Sequence, residues 1–155
     1  MRKLLTTLAV FFIFLGCGFK PIYKMTSDDA SIDGYSVEVT NQVAREIIEE
    51  VNSTIVQSED QKYKALLTIF EDLTPLIVNT NGTVAKYRIE IEIKYELLQI
   101  DKGDVISTGT TLGFAQYDVT GSEIVNEDTK KSMTKIATKN AIQLMASRIQ
   151  SSISR

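Results

Sequence analysis

The chain of 155 residues contains no histidine, no tryptophan, one cysteine and two prolines. The missing histidine removes the commonest general base and the commonest metal ligand together. A lone cysteine, Cys17, permits neither an internal disulfide nor a cysteine-based zinc site. The sequence also lacks a phosphate-binding glycine loop, a Gly-x-Ser-x-Gly turn and a metal-binding triplet. Paired carboxylates such as Glu90 and Glu92 are present, but same-face pairs recur in any solvated sheet, and a glycosidase pair must flank a cleft. The expectation is a protein that is not an enzyme and carries no cofactor or metal.

What is present is an ordinary globular balance, 43% hydrophobic and 24% charged residues, in a length suited to one domain. The net charge is -3. Without Arg2 and Lys3, which fall in a segment expected to be removed, 15 basic residues face 20 acidic ones, a balance of -5. Nucleic-acid binders need a basic surface to displace counterions from phosphate, so nucleic acid is not an expected partner.

The amino terminus reads as an address. Met1-Arg2-Lys3 is followed by an almost unbroken apolar run, Leu4 to Leu15. That run is too short for a membrane-spanning helix, which needs about 20 residues, and has the length of the apolar part of a secretory signal. An ordinary cleavage site wants a small residue third from the end, where this chain has Phe14. The segment Phe14-Leu15-Gly16-Cys17 instead resembles a bacterial lipobox, with Phe14 and Leu15 where Leu and then Ala or Ser are usual. A lipobox cysteine receives a diacylglyceryl group on sulfur and an acyl chain on the new amino terminus, and two or more chains hold a protein stably at a membrane. Cys17 is thus the expected lipid attachment site. Gly18 stands where an Asp commonly signals inner-membrane retention, which points to the outer membrane, on the periplasmic side. The expected divisions are a signal peptide over 1–16, a lipidated amino terminus and tether over 17–33, and a folded domain over 34–155.

Within that domain, a short strand is expected from Tyr35 to Val39, then a helix from about Asn41 to Asn52, capped by Thr40 or Asn41. A strand through Tyr63, Ala65, Leu67 and Ile69 leads to a loop containing Pro75 and Asn81-Gly82. From Ala85 to Leu97 the alternation is regular. Apolar Ala85, Tyr87, Ile89, Ile91, Ile93, Tyr95 and Leu97 alternate with Lys86, Arg88, Glu90, Glu92, Lys94 and Glu96. A period of two sends successive side chains to opposite faces, one buried and one wet. Asp101-Lys102-Gly103-Asp104 reads as a hairpin turn, followed by a Thr-, Gly- and Ser-rich strand from Val105 to Asp118. A long helix from Ser122 or Glu123 to Ile149 or beyond presents Met133, Ile136, Ala137, Ala141, Leu144, Met145 and Ile149 as its apolar face. The fold class is α+β: a mainly antiparallel sheet of about four strands with two helices packed on one face.

The opening Cys17-Gly18-Phe19-Lys20-Pro21-Ile22-Tyr23 resembles the Cys-Gly-Phe-(basic)-Pro-Leu-Tyr start of the LptE family of lipopolysaccharide-assembly lipoproteins. The order strand, helix, three strands, long helix is similar to that family too, as is Phe114-Ala115-Gln116-Tyr117 before the last helix. The resemblance implies a partner, the outer-membrane β-barrel LptD, in which the lipoprotein sits as a plug, aiding barrel assembly and delivery of lipopolysaccharide to the outer leaflet. It also implies lipopolysaccharide as a ligand. Lys86, Arg88 and Lys94, on one side of their strand, are then the candidate contacts for its phosphates, although Glu90, Glu92 and Glu96 share that side. The other reading of the residues is an outer-membrane lipoprotein adaptor for a different envelope-assembly machine.

Overall fold

The computed structural model describes residues 35–55 and 61–153. Cys17, the signal segment and the tether lie outside the described residues. Four strands form one sheet in chain order: β1 (Tyr35–Val39), β2 (Tyr63–Val78), β3 (Val84–Gln99) and β4 (Val105–Asp118). Strand β1 runs parallel to β2, and the other pairs are antiparallel. Helix α1 (Arg45–Thr54) crosses from β1 to β2, and helix α2 (Glu123–Ile153) follows β4. This is the expected α+β sheet with two helices on one face.

The alternation in β3 dictates which face the helices take. Ile89, Ile91, Ile93 and Leu97 are fully buried between the sheet and the helices, each contributing about 1.5–3 kcal/mol by leaving water. Their partners across the strands on the same face are Leu67, Ile69 and Ala65 of β2, also buried. From the helices come Ile47 and Val51 of α1 with Ala137, Ala141, Ile142, Met145 and Ile149 of α2.

Helix α2 lies close against β4 because the residues between them are small. A β-carbon on Gly113 would sit 1.9 Å from the Ala137 carbonyl oxygen and 2.7 Å from the Ala141 amide nitrogen, so the helix backbone occupies the space of a side chain. Thr111 donates its hydroxyl to the Ala141 carbonyl at 3.0 Å. Further along, Arg148 Nη1 donates to the Thr110 carbonyl at 2.6 Å and Ser152 Oγ to Ser107 Oγ at 3.1 Å. The helix therefore descends antiparallel to β4. Its buried face includes Thr134 and Thr138, and the latter returns its hydroxyl to the Thr134 carbonyl at 2.8 Å. Ile136 and Leu144, expected on that face, are exposed. The close approach admits Ala and Thr toward the sheet and turns these larger neighbours outward.

Two further expectations are corrected. Helix α1 begins at Arg45, after Ala44, without a side-chain cap. Thr40 and Asn41 serve β2 instead. The Thr40 amide donates to the Leu67 carbonyl at 2.8 Å. Asn41 donates Nδ2 to the Ile69 carbonyl at 2.7 Å and accepts the Ile69 amide at 3.0 Å. The second correction concerns Pro75, which lies inside β2 opposite Tyr87 and next to a register irregularity, not in a loop. Proline lacks the ladder donor, so it is confined to edge strands and bulges, and the β1 pairing of β2 ends at Leu67.

Charge ties the helices together on their outer side: Glu49 of α1 meets Lys135 of α2 at 3.0 Å and Arg45 at 2.8 Å. Those two cations lower the Glu49 carboxyl from its ordinary pKa. Tyr35 is the reverse case. It is 1% exposed, its hydroxyl has no partner among the described residues, and burial pushes its pKa up to about 12.

Two outcomes are expected from these contacts. Gly113→Ala should lower stability, read from denaturant titration, by the upper end of about 1–3 kcal/mol or beyond, since helix backbone must move. Gly109→Ala meets only the Tyr95 ring, which can swing aside, and should cost less. For Tyr35, the folded state keeps its proton while the unfolded chain loses it above its ordinary pKa of 10. Stability is then full below pH 10 and falls by about 2–3 kcal/mol toward pH 12. Tyr35→Phe should stabilise the domain by up to about 1 kcal/mol at neutral pH and flatten much of that alkaline fall in denaturant titrations.

Candidate functional site

Among the described residues no element covers the face of the sheet opposite the helices. Even-numbered residues of β2 and β3 point to it: Lys64, Leu66, Thr68, Phe70 and Asp72 from β2, with Lys86, Arg88, Glu90, Glu92, Lys94 and Glu96 from β3. Strand β4 adds Thr108, Thr110, Leu112, Phe114 and Gln116 through its register with β3. The strict alternation that buries the isoleucines leaves no other place for these side chains.

Lys86, Arg88 and Lys94 do share this face, but as separate pairs along the strand. Lys86 Nζ lies 3.2 Å from Asp118, Arg88 Nη2 lies 3.8 Å from Glu90, and Lys94 Nζ lies 3.7 Å from Glu92. From Lys86 to Lys94 the strand advances roughly 27 Å, so they do not converge on one phosphate. Each ion pair is partly or wholly solvated and is worth about 0–1 kcal/mol. A negatively charged ligand has to displace or bridge past the carboxylates.

Sequence reasoning missed the aromatic seats. The Arg88 guanidinium carbon stands 4.2 Å over the centre of the Phe114 ring, and Lys94 Nζ stands 4.9 Å from that of Phe70. A cation over an aromatic face at this range gains about 0.5–1 kcal/mol when exposed. Each ring comes from a neighbouring strand, Phe70 opposite Glu92 and Phe114 opposite Glu90, diagonal to the cation it seats. The available signal was the spacing Leu112, Phe114, Gln116, which alternates with Gly113 and Ala115.

Across the strands from Thr40 to β4, Thr40, Leu66, Thr68, Lys94, Glu96 and Thr108 line an open groove of about 440 Å³. Thr40 and Thr68 hydroxyls share a hydrogen bond of 3.0 Å there. The lining mixes hydroxyls, one cation and one carboxylate, and offers no enclosed reaction chamber. Among the described residues no cluster of acidic or thiol groups could hold a metal, and no helix is long and apolar enough to cross a membrane.

The site's composition is therefore that of a broad recognition surface, charged and threonine-rich, with four partly exposed apolar side chains set into it. Exchanging the charges of Lys86 and Arg88 (Lys86→Glu with Arg88→Glu) should shift stability by no more than about 1 kcal/mol. Titration of lipopolysaccharide into the purified double variant tests the candidate contacts: weakened binding supports them, and unchanged binding removes these two residues from any ligand site.

Comparison with known proteins gives a consistent assignment. The family model described as LptE, lipopolysaccharide-assembly, matches residues 19–153. No curated protein sequence matches significantly. Among solved structures, a proposed lipoprotein of Caulobacter crescentus CB15 is similar with a TM-score of 0.59 at 15% identity, covering 76% of this chain and 90% of the other. An uncharacterised lipoprotein B of Nitrosomonas europaea gives 0.52 at 12% identity, with coverages of 77% and 83%. The rare lipoprotein B of Shewanella oneidensis gives 0.50 at 17% identity, with coverages of 75% and 96%. At these identities the structures share the fold.

Proposed function

The chain belongs to the LptE lipopolysaccharide-assembly family, and we propose that its open sheet face is the surface it turns to the interior wall of the LptD barrel. The family role is non-enzymatic: a lipoprotein of lipopolysaccharide assembly that partners LptD. An adaptor for a different envelope machine is set aside by that membership.

The observation that carries the finer reading is the one-sided sheet. Helices α1 and α2 cover one face, and the other carries charges, threonines and a few apolar side chains across four strands. The lumen of a large outer-membrane barrel is polar, so a plug has to offer it hydrogen-bonding groups rather than an apolar face. In this reading the lipoprotein fills the barrel, supports its assembly and assists delivery of lipopolysaccharide to the outer leaflet. Arg88 and Lys94, held upright on Phe114 and Phe70, are the cations best placed to meet lipid phosphates, with Lys86 further along the strand.

The anchor in this reading is Cys17, modified on sulfur before removal of residues 1–16 and acylated on its new amino group afterwards, with residues 17–33 as the tether and 34–155 as the plug domain. It holds the protein to the periplasmic side of the outer membrane. More than one acyl chain is needed for stable attachment, which lipobox processing supplies.

Affinity capture of the tagged lipoprotein from detergent-solubilised outer membranes should recover a large β-barrel in near one-to-one amount, identified by mass spectrometry. Capture without a barrel would refute the plug assignment. Cys17→Ser should abolish incorporation of labelled palmitate and leave residues 1–16 uncleaved; retention of label would place the acyl chain elsewhere.

A further inference from the structure

Three branched apolar side chains gather at one end of the sheet and face water. Ile100 is 47% exposed, Val105 54% and Ile106 38%, and all three flank the turn between β3 and β4. The turn is well built. Gly103, at φ +69°, donates its amide to the Gln99 carbonyl at 2.8 Å, and the Gln99 amide donates to the Asp104 carbonyl at 2.9 Å. Directly after it the ladder slips. Leu97 pairs with Ser107 but Leu98 pairs with Val105, so Ile106 is an additional residue in β4. A bulge of this kind bends the strand and re-aims a side chain, and it leaves Ile106 exposed beside Val105. Keeping three such groups in water forfeits apolar burial, at a tip where a turn usually carries polar residues.

This end is also where the domain joins its amino-terminal segment. Tyr35, the first residue of β1, pairs with Tyr63, which pairs with Gln99. The Ile100 amide donates to the Lys62 carbonyl at 3.0 Å. Residues 18–34, seventeen in all, connect Cys17 to that point, a path of at most about 60 Å. The turn at the opposite end, between β2 and β3, lies the length of β3 further on, roughly 54 Å. The far turn can meet the leaflet that holds Cys17 only with residues 18–34 drawn out almost fully, whereas the tip beside Tyr35 can meet it at any extension.

We propose that this tip inserts among the lipids of the leaflet that holds the Cys17 anchor, as a second and reversible contact. The inference rests on Cys17 being acylated. The charges nearby, Asp101, Lys102 and Asp104 of the turn with Lys62 beside it, cancel. The contact is apolar, requires no anionic lipid and is insensitive to salt. Its effect is orientation of the anchored domain before the barrel takes it up: an anchor alone leaves the domain free to turn, and a second contact fixes which end of the sheet meets the bilayer.

The chain has no tryptophan, so single reporters can be introduced cleanly. Val105→Trp and, as a duplicate, Ile100→Trp mark the tip; Ile77→Trp marks the far end, where Ile77 is exposed in β2. Each acylated, full-length variant is reconstituted into phosphatidylethanolamine–phosphatidylglycerol vesicles with and without brominated acyl chains, and vesicle flotation is measured on the same sample. The expected result is flotation of all three, with a blue shift and loss of most of the emission to brominated lipid for the two tip reporters only, unchanged by added salt. Tip reporters that float with the vesicles yet keep a water-like spectrum would overturn the inference while leaving the anchor intact. Failure to float would refute the acylated-anchor reading and the tip contact with it. A tip already shielded in water, in Cys17→Ser protein expressed without residues 1–16, would assign it to the protein's own amino-terminal segment. Shielding that appears only when the barrel is reconstituted alongside would assign it to the barrel. Either of these last two results also overturns the proposal.

Discussion

Strand β3 is hydrogen-bonded along both edges, and the rest of the molecule is arranged around its two rows of side chains. From Lys86 to Leu97 charged and apolar residues alternate without a break. A slip of one residue against β2 or β4 would drive lysines, an arginine and glutamates beneath the helices and lift the isoleucines into water. No neighbouring contact could offset several buried unpaired charges, so the register is fixed by the sequence of this one strand. With the register fixed, the apolar row defines where α1 and α2 must lie. The charged row defines a face that no element of the described domain covers.

The depth of the core is set by a different device. Gly113 and the small residues of α2 let helix backbone touch strand backbone. Thr111 spans the contact with a hydrogen bond to the Ala141 carbonyl, so the buried hydroxyl is satisfied by the same closeness that buries it. Tyr35, at the margin of the core, has no such compensation among the described residues. The domain carries that penalty on a strand of only five residues.

Much of this was legible in the sequence, and the misses have physical causes. The strands β3 and β4 and the turn at Gly103 followed from period two and from turn chemistry, which are local properties. The start of α1 did not, because Thr40 and Asn41 are good helix caps in isolation and the sequence does not reveal that β2 claims their side chains. Pro75 looked like a loop residue because its tolerance depends on β2 having no neighbour there. Ile136 and Leu144 were assigned inward by hydrophobicity. A helix pressed against Gly113 instead turns alanines and threonines inward, and only the packing distance discloses that. In the candidate site, the shared side of Lys86, Arg88 and Lys94 was readable from alternation. Their seats on Phe114 and Phe70 depend on the cross-strand register and were not.

The hydrogen bonds along the edge of β2 beyond its pairing with β1, and along the edge of β4, have a consequence for how molecules meet one another. An unpaired strand edge is a template on which a second copy can add its own strand, the first step toward aggregation. On β2, the Asn41 amide occupies the backbone groups of Ile69, and Pro75 removes a donor further along. On β4, Arg148 takes the Thr110 carbonyl and Asn140 the Phe114 carbonyl. A newcomer strand would have to evict these side chains before it could form an uninterrupted ladder. Self-association by edge pairing is thereby discouraged, while the open face stays available to a partner that recognises side chains.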